Sequence, residues 1–314
     1  MPARTQRNQG SSKVPGRLRI VTDFDGVWTD VNGQAEAVDR HREEGLRDLS
    51  GWPGKRIRSL LEEVERAVRQ SPHEYGWASN GRISAFADED PFLFHNALLS
   101  AVDRLAAQSH PGCLALQRDL AAQGLADLNA LGSRLFMEAS QGYLSRCGHA
   151  FRPEAGEVLT EMLELGEVIF CTNFTTEAVA HSWARLGFFV DGPQATPGLA
   201  IRGLARKQEL TADPPRQVSF GARQVAVDRG HYRQALLEER PDVVIGDVFS
   251  LDLALPLLLR SEHPDFLDLS SLLVQASYTP AWSLALCANP TLAGLCRCHD
   301  LPATLALLRQ RTCG

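Results

Sequence analysis

The sequence predicts an α/β protein with a parallel sheet and a mainly helical segment inserted after the first strand. Three observations lead to this prediction. Short apolar runs at 18–21, 168–171 and 243–245 are typical of buried parallel strands. From about residue 150 onward, such runs alternate with amphipathic stretches. More than a hundred residues separate the first two strands, which is too long for a loop in a compact domain.

Composition narrows the class of protein. The 314 residues are enough for a catalytic domain and a smaller second domain. A formal net charge of -6 argues against a general nucleic-acid binder, which needs a basic surface. Seven cysteines without a framework pattern fit a reducing compartment, and the sequence contains no apolar run of transmembrane length. We therefore expect a cytoplasmic protein with no nucleic-acid or membrane partner. Its oligomeric state is left open.

The first strand ends in two carboxylates. Asp23 and Asp25 follow the apolar run 18–21, and Gly26 allows a sharp turn directly after them. Because alternate side chains of an extended segment point the same way, both carboxylates can enter one small space. Like charges at that distance raise each other's pKa or recruit a cation, and clustered oxygen ligands suit Mg²⁺. The residues alone also allow a simple Asp-x-Asp-Gly turn without chemistry.

The long insertion is predicted to be a helical domain. Residues 54–70 place five apolar side chains on one helical face, and further helices are predicted near 91–108, 111–122 and 125–145. Asn80-Gly81 is a tight-turn signal within a short strand-like stretch. We assign 31–149 to this inserted domain and 18–30 with 150–314 to the α/β core. The polar residues 1–17 are predicted to be a disordered tail.

The core resumes with a helix after Pro153 and a strand at 168–171, which ends at Thr172 and Asn173. Further strands are predicted at 224–227, 243–245, 272–275 and 292–298, with helices through 232–237 and 301–308. Asp247 and Asp252 follow the strand 243–245. Because open α/β sheets bind ligands at the carboxyl ends of their strands, we expect these polar residues near Asp23 and Asp25.

These motifs, in this order, resemble those of the haloacid dehalogenase (HAD) superfamily. The stretch LRIVTDFDGVWTD resembles the D-x-D-G-V/T-x-T-D motif of its phosphatases, and Thr172 resembles the second motif. The segment from Gly246 to Asp252 matches the G-D-x-x-x-x-D form of the fourth. The resemblance implies a Rossmann-like core with a helical cap, with Asp23 as the nucleophile and Asp25 as the general acid and base.

The resemblance also implies a ligand set. Thr172, with Asn173 beside it, would bind phosphoryl oxygens. Mg²⁺ would be held by Asp23, the main-chain carbonyl of Asp25 and Asp247, while Asp252 would hold a metal-bound water or orient the ligands.

The third motif of the superfamily is a Lys or Arg that compensates the crowded negative charge. Arg229, at the start of the helix before the fourth motif, has the usual placement. Lys207 is the competing candidate. On position we place the cation at Arg229 and keep Lys207 open.

The function implied is Mg²⁺-dependent hydrolysis of a phosphate monoester through an aspartyl-phosphate on Asp23. A large cap favours a small phosphorylated metabolite over a protein or polymer. The candidate polar contacts in the cap are His73, Trp77, Asn80, Arg82 and Asn96, and the sequence favours a structural or surface role for each of them over a substrate contact.

Other functions remain open. A phosphotransferase would use the same residues. A 2-haloacid dehalogenase would have no use for Asp25 or Asp247, and a non-catalytic binding module could share the fold. A nicotinamide enzyme is not predicted, because no G-x-G-x-x-G follows a strand.

Overall fold

The computed structural model describes residues 17–211 and 214–312. The predicted tail therefore lies outside the described residues except for Arg17. The strands are β1 (Leu18–Thr22), β2 (Gly76–Ser79), β3 (Arg82–Phe86), β4 (Gly166–Cys171), β5 (Leu199–Arg202), β6 (Gln217–Phe220), β7 (Arg223–Ala226), β8 (Val243–Gly246), β9 (Ser270–Val274) and β10 (Leu295–Cys298). The helices are α1 (Asn32–Ser50), α2 (Gly54–Gln70), α3 (Pro91–Ala107), α4 (Pro111–Ala121), α5 (Leu128–Cys147), α6 (Ala155–Leu165), α7 (Thr176–Ala184), α8 (Gly230–Glu239), α9 (Ala254–Glu262), α10 (Ala281–Cys287) and α11 (Leu301–Thr312). Within the described ranges, no helix combines the length and the apolar character needed to cross a membrane.

Six strands form one parallel sheet in the order β10-β9-β8-β1-β4-β5. β1 lies between β4 and β8, so the first strand of the chain is central. Ile20 and Val21 are both buried, and they contribute to apolar clusters on opposite faces of the sheet. α6 and α11 contribute to the cluster on one face, and α8 and α9 to the cluster on the other. The α/β parallel-sheet prediction is confirmed.

The predicted strand 224–227 does not belong to this sheet. β7 pairs with β6 in a separate antiparallel hairpin, and β5 takes the edge position beside β4. β5 has only four residues and follows a stretch rich in Pro and Gly, so its apolar pattern is too short to stand out.

The segment between β1 and β4 has an apolar core of its own. The predicted ranges agree closely with α2, α3 and α4. α5 begins at Leu128, later than the predicted 125, and the sequence gives no separate range for α1. Buried side chains from α1 to α5 form one cluster that includes Leu46, Ile57, Leu98, Leu116 and Leu131. The β2–β3 hairpin turns at 80–81, where both residues have a left-handed φ, as an Asn-Gly turn requires.

The two ends of the insertion lie side by side. Thr29 and Phe151 form an antiparallel bridge. The Asp30 N–H donates to the Ala150 carbonyl at 2.7 Å, and the Arg152 N–H donates to the Trp28 carbonyl at 2.9 Å. We call residues 28–30 and 150–152 the stem. The insertion therefore leaves the core and returns to it at one place.

A buried histidine next to the stem gives a testable pH dependence. His149 is 9% exposed, and its Nδ1 lies 2.6 Å from the Ser182 hydroxyl. Burial lowers the pKa of His149 from 6.5 to about 4. The neutral ring is therefore kept in the folded chain, whereas the unfolded chain binds a proton below pH 6.5. This group's stabilising contribution is complete above pH 6.5 and falls as pH drops towards 4.

We expect wild type to lose up to about 3 kcal/mol of unfolding free energy relative to His149→Phe between about pH 7 and pH 4. Urea unfolding of both chains at several pH values measures this difference. His181→Phe, which removes an exposed histidine, is the control. A difference between wild type and His149→Phe that does not vary with pH contradicts the interpretation.

Candidate active site

Three carboxylates meet where β1 and β8 end. The two strands are paired, so the residues that follow them are neighbours, and the Asp23 N–H donates to the Ile245 carbonyl at 2.9 Å. Oxygens of Asp23, Asp247 and Asp252 all lie within 4.8 Å of one another. The structure thus brings together acidic residues that are more than two hundred positions apart in sequence.

Lys207 lies between two of these carboxylates. Its Nζ is 2.7 Å from Asp23 Oδ1 and 2.8 Å from Asp252 Oδ1, and its side chain is only 3% exposed. Burial alone would lower the pKa of Lys207, but Asp23 and then Asp252 raise it well above its ordinary value. Lys207 is therefore a charged ammonium held between the carboxylates of this cluster.

Arg229 does not take this position. Its guanidinium is fully buried and donates to the main-chain carbonyls of Lys207 and Ser84. Of the two candidates for the compensating cation, the structure thus brings Lys207, and not the preferred Arg229, into contact with the carboxylates. Arg229 supports the backbone that presents Lys207, because a planar guanidinium can donate to two carbonyls at once.

The residues after β4 also support the Lys207 segment. Thr172 is buried, its Oγ1 accepts from the Phe174 N–H at 3.2 Å, and its carbonyl accepts from the Ala205 N–H at 2.9 Å. Asn173 Oδ1 accepts from the Lys207 N–H at 2.9 Å. In this structure Asn173 holds the lysine backbone, which the sequence did not indicate.

Asp25 lies close to the cluster of Asp23, Asp247 and Asp252 but is not a member of it. One of its oxygens is 3.5 Å from the Thr29 hydroxyl, and its carboxylate is not among the three that cluster in the described residues. Removal from water, followed by repulsion from Asp23 and Asp90, raises the pKa of Asp25 well above its ordinary value. For Asp23, burial raises the pKa to about 6, against the attraction of Lys207.

Asp247 has one engaged oxygen and one free oxygen. The Tyr278 hydroxyl donates to Oδ2 at 2.7 Å. Oδ1 is buried and has no hydrogen-bond partner among the described residues. Burial, then Asp252 and Asp23, raise the pKa of Asp247. A buried, unpartnered carboxylate oxygen beside two more carboxylates is a donor set suited to a hard divalent cation.

Two glycines make the close approach possible. Gly26 has a φ of +70°, and a Cβ there would lie 2.0 Å from Asp247 Oδ2 and 2.4 Å from the Tyr278 hydroxyl oxygen. A Cβ on Gly246 would lie 2.3 Å from the Cβ of Asp252. Both motif glycines therefore leave room for a carboxylate.

Two acidic residues of the insertion were missed by sequence reasoning. Asp90 is the N-cap of α3 and accepts from the N–H groups of Phe92 and Leu93, the latter at 3.1 Å. Burial raises its pKa to about 7, and Asp23 and Asp252 add to this. Glu89 is fully buried and contacts Ser250, next to the fourth motif. An Asp-Pro pair before a helix signals a cap, but it does not indicate closeness to Asp23.

The strand order and the motif positions decide the fold. The strand with the Asp pair is central, the strand ending in Thr172 is on one side of it, and the strand ending at Gly246-Asp247 is on the other. A buried lysine joins the first and last of them. The chain has a HAD-like fold.

Comparisons with known proteins give the following similarities. No protein-family model and no curated protein matches the chain. The HAD-hydrolase YfnB from Bacillus subtilis, solved bound to magnesium, is 12% identical, with 93% of this chain and 99% of that chain covered and a TM-score of 0.47. A haloacid dehalogenase-like hydrolase from Streptococcus pneumoniae is 12% identical, with 94% and 99% covered and a TM-score of 0.45. A 2-haloacid dehalogenase from Pseudomonas syringae is 14% identical, with 94% of this chain and 99% of that chain covered and a TM-score of 0.36. The HAD-like fold is assigned here on the strand order and motif residues.

Two of the five polar candidates in the insertion bind the HAD-like core. Asn80 Nδ2 donates to the Leu210 carbonyl at 2.6 Å, and Arg82 pairs with Asp228, with one N–O distance of 3.1 Å. Among the others, Trp77 packs edge-on against Phe136, His73 is exposed, and Asn96 Nδ2 is buried without a partner in the described residues. The structure therefore gives Asn80 and Arg82 docking contacts.

The space beside Asp247 can be tested with one methyl group. Gly26→Ala and Gly51→Ala replace glycines of almost equal φ, +70° and +69°, but a Cβ at Gly51 meets nothing within 4 Å. Both should lose about 1 to 2 kcal/mol for the left-handed backbone. Gly26→Ala should lose a further 1 to 3 kcal/mol or so, because Asp247 or the backbone must shift. Urea unfolding measures both losses. Equal losses contradict the close approach.

Proposed function

We propose that this chain is a Mg²⁺-dependent hydrolase of small phosphate monoesters, acting through an aspartyl-phosphate on Asp23. The observation that supports this most directly is the position of Lys207, 2.7 Å from Asp23 and 2.8 Å from Asp252. An ammonium there can bind a phosphoryl oxygen while the Asp23 carboxylate attacks the phosphorus. Asp25 is the next side chain on the same side of the chain and has a raised pKa, as a general acid needs.

The cluster of Asp23, Asp247 and Asp252 is suited to binding Mg²⁺. Asp23 and Asp247 would hold the ion with the main-chain carbonyl of Asp25, since Asp247 Oδ1 is unpartnered in the described part of the chain. Both oxygens of Asp252 are engaged, one by Lys207 and the other by the Val248 N–H at 3.1 Å. Asp252 would therefore orient the ligands and Lys207. When bound, Mg²⁺ would neutralise charge on the carboxylates and the phosphate.

In the first step a carboxylate oxygen of Asp23 forms a bond to phosphorus, and the bond from phosphorus to the leaving oxygen breaks. Asp25 gives its proton to that oxygen, so the alcohol leaves neutral. Lys207 and the hydroxyl of Thr172 donate to the transferring oxygens. In the second step Asp25 takes a proton from water, whose oxygen attacks the phosphorus and releases phosphate. Asp23 returns as a carboxylate and Asp25 as an acid, so the cycle closes.

A cavity of about 550 Å³ adjoins the proposed reaction centre at Tyr278, although Asp23, Asp25 and Lys207 do not line it. Tyr278, which donates to Asp247, forms part of its wall, together with Asp90, Phe94 and His95 of the insertion. This volume is in the range of small-molecule sites. We therefore propose a small phosphorylated metabolite as the substrate.

The nucleophile is tested by Asp23→Asn. We expect it to abolish phosphate release from a panel of small esters in Mg²⁺, because an amide oxygen is a poor nucleophile. Asp191→Asn, at an exposed loop position, is the control and should keep wild-type turnover. Full activity of Asp23→Asn contradicts the mechanism. Halide release from a 2-haloacid by wild type, without turnover of any ester, indicates a dehalogenase instead.

The acid is tested by the leaving group. Asp25→Asn should lower kcat for alkyl phosphates by roughly 10²- to 10⁴-fold, because an alkoxide leaves poorly without a proton. With p-nitrophenyl phosphate the loss should be much smaller, since that leaving group is already a weak base. Equal losses for both substrates contradict the role of Asp25. Transfer of the phosphoryl group to an added alcohol, measured in the same assays, separates a phosphotransferase from a hydrolase.

A further inference from the structure

The β2–β3 hairpin of the insertion is docked on the core by polar contacts. Asn80 donates to the Leu210 carbonyl at 2.6 Å, and the Leu210 N–H donates back to the Ser79 hydroxyl at 3.0 Å. Arg82 pairs with the buried carboxylate of Asp228. The hairpin thus contacts two core segments, one that carries Lys207 and one that carries Arg229.

Glu89, three residues after the hairpin, joins it to the fourth-motif segment. Its side chain is fully buried. One carboxylate oxygen accepts from the Ser250 N–H at 2.8 Å, and the other accepts from the Phe86 N–H at 3.0 Å and from the Ser250 hydroxyl. All three bonds come from N–H or O–H groups, for which the two carboxylate oxygens are acceptors, and these bonds oppose the burial that raises the pKa of Glu89 to about 7.

Ser250 belongs to the π-helical turn Phe249–Leu253, which contains Asp252 and is separated from Asp247 by Val248. The Val248 N–H donates to the Asp252 side chain, and the Asp252 N–H donates to the Val248 carbonyl. Because these two bonds join Val248 to Asp252 across Ser250, a shift of Ser250 would be passed on to the Asp252 carboxylate.

Arg229 makes the equivalent connection for the Lys207 segment. It donates to the carbonyls of Lys207, in the core, and Ser84, in β3. The two segments that present Lys207 and Asp252 are therefore both attached to residues 84–89 of the insertion. Lys207 Nζ and Asp252 Oδ1 lie 2.8 Å apart.

We propose that Glu89 is a positioning residue, through which the docked insertion sets the geometry of the Asp247–Asp252 turn. On this proposal the insertion completes the reaction centre in addition to covering it. The consequence for turnover rests on the proposed phosphatase function, whereas the structural consequence does not. Glu89 touches no reacting atom and acts through Ser250.

The structural consequence is measured by amide hydrogen exchange of the full chain, without substrate. The N–H groups of Ser250 and Phe86 both donate to Glu89, so their exchange reports the contact directly. In Glu89→Gln one of these donors faces an NH₂ group, and we expect both amides to exchange faster while the strands β1 and β4 keep their protection. Ser250→Ala removes only the hydroxyl bond and should give the same change in smaller measure. Glu36→Gln, an exposed glutamate of the insertion, is the control.

The kinetic consequence is a fall in kcat of roughly 10- to 100-fold with little change in KM, since misplaced groups slow the chemical step. The leaving-group preference should stay as in wild type, because Asp25 is untouched. If Glu89→Gln does not fold, Ser250→Ala carries both measurements.

Two results overturn the proposal. One is unchanged exchange at Ser250 in both variants. The other is faster exchange with kcat equal to that of Glu36→Gln, which makes the contact structural only. Failure of the proposed function differs from both, because it shows as a wild-type chain that turns over no phosphate ester.

Discussion

The structure depends on an excess of negative charge that the fold forces into one place. Asp23 and Asp252 contact the buried ammonium of Lys207, Asp247 clusters with them, and repulsion from Asp23 acts on both Asp25 and Asp90. Such an arrangement costs free energy in folding, because each carboxylate loses water and repels its neighbours. The chain lowers this cost locally with the Tyr278 hydroxyl and the Val248 N–H. The negative charge that these groups do not compensate favours the binding of a cation.

The core could be predicted from sequence where the signal is local. Apolar runs mark β1, β4 and β8, and a strict helical period marks α2. The carboxyl ends of parallel strands lie at the same edge of a sheet, so the polar residues that follow these strands lie close together. Asp23, Thr172 and Asp247 could therefore be placed near one another without knowing the strand order. The signal fails where elements are short or polar. β5 has four residues, and α1 buries Gln34 and Arg42, so neither shows a distinct apolar pattern.

The finer geometry of the site could not be predicted, because it depends on contacts between distant segments. Lys207 and Arg229 are both basic residues before the fourth motif, and only the packing shows that one faces carboxylates and the other faces carbonyls. Glu89 and Asp90 precede a helix like any capping pair. Glu89 reaches Ser250, and Asp90 comes close to Asp23 and Asp252, only when the insertion folds back onto the core.

The stem has a consequence for how such a protein can change over time. The chain leaves the core at Thr29 and returns to it at Phe151, and these two residues are paired by a β-bridge. The insertion therefore has to connect two points of the core that lie side by side. Almost any folded unit with adjacent ends can make that connection without altering the order of the sheet. The insertion is therefore exchangeable as a unit. On the proposal for Glu89, the contacts at 84–89 limit that freedom, since a replacement unit must offer the core an equivalent pair of contacts.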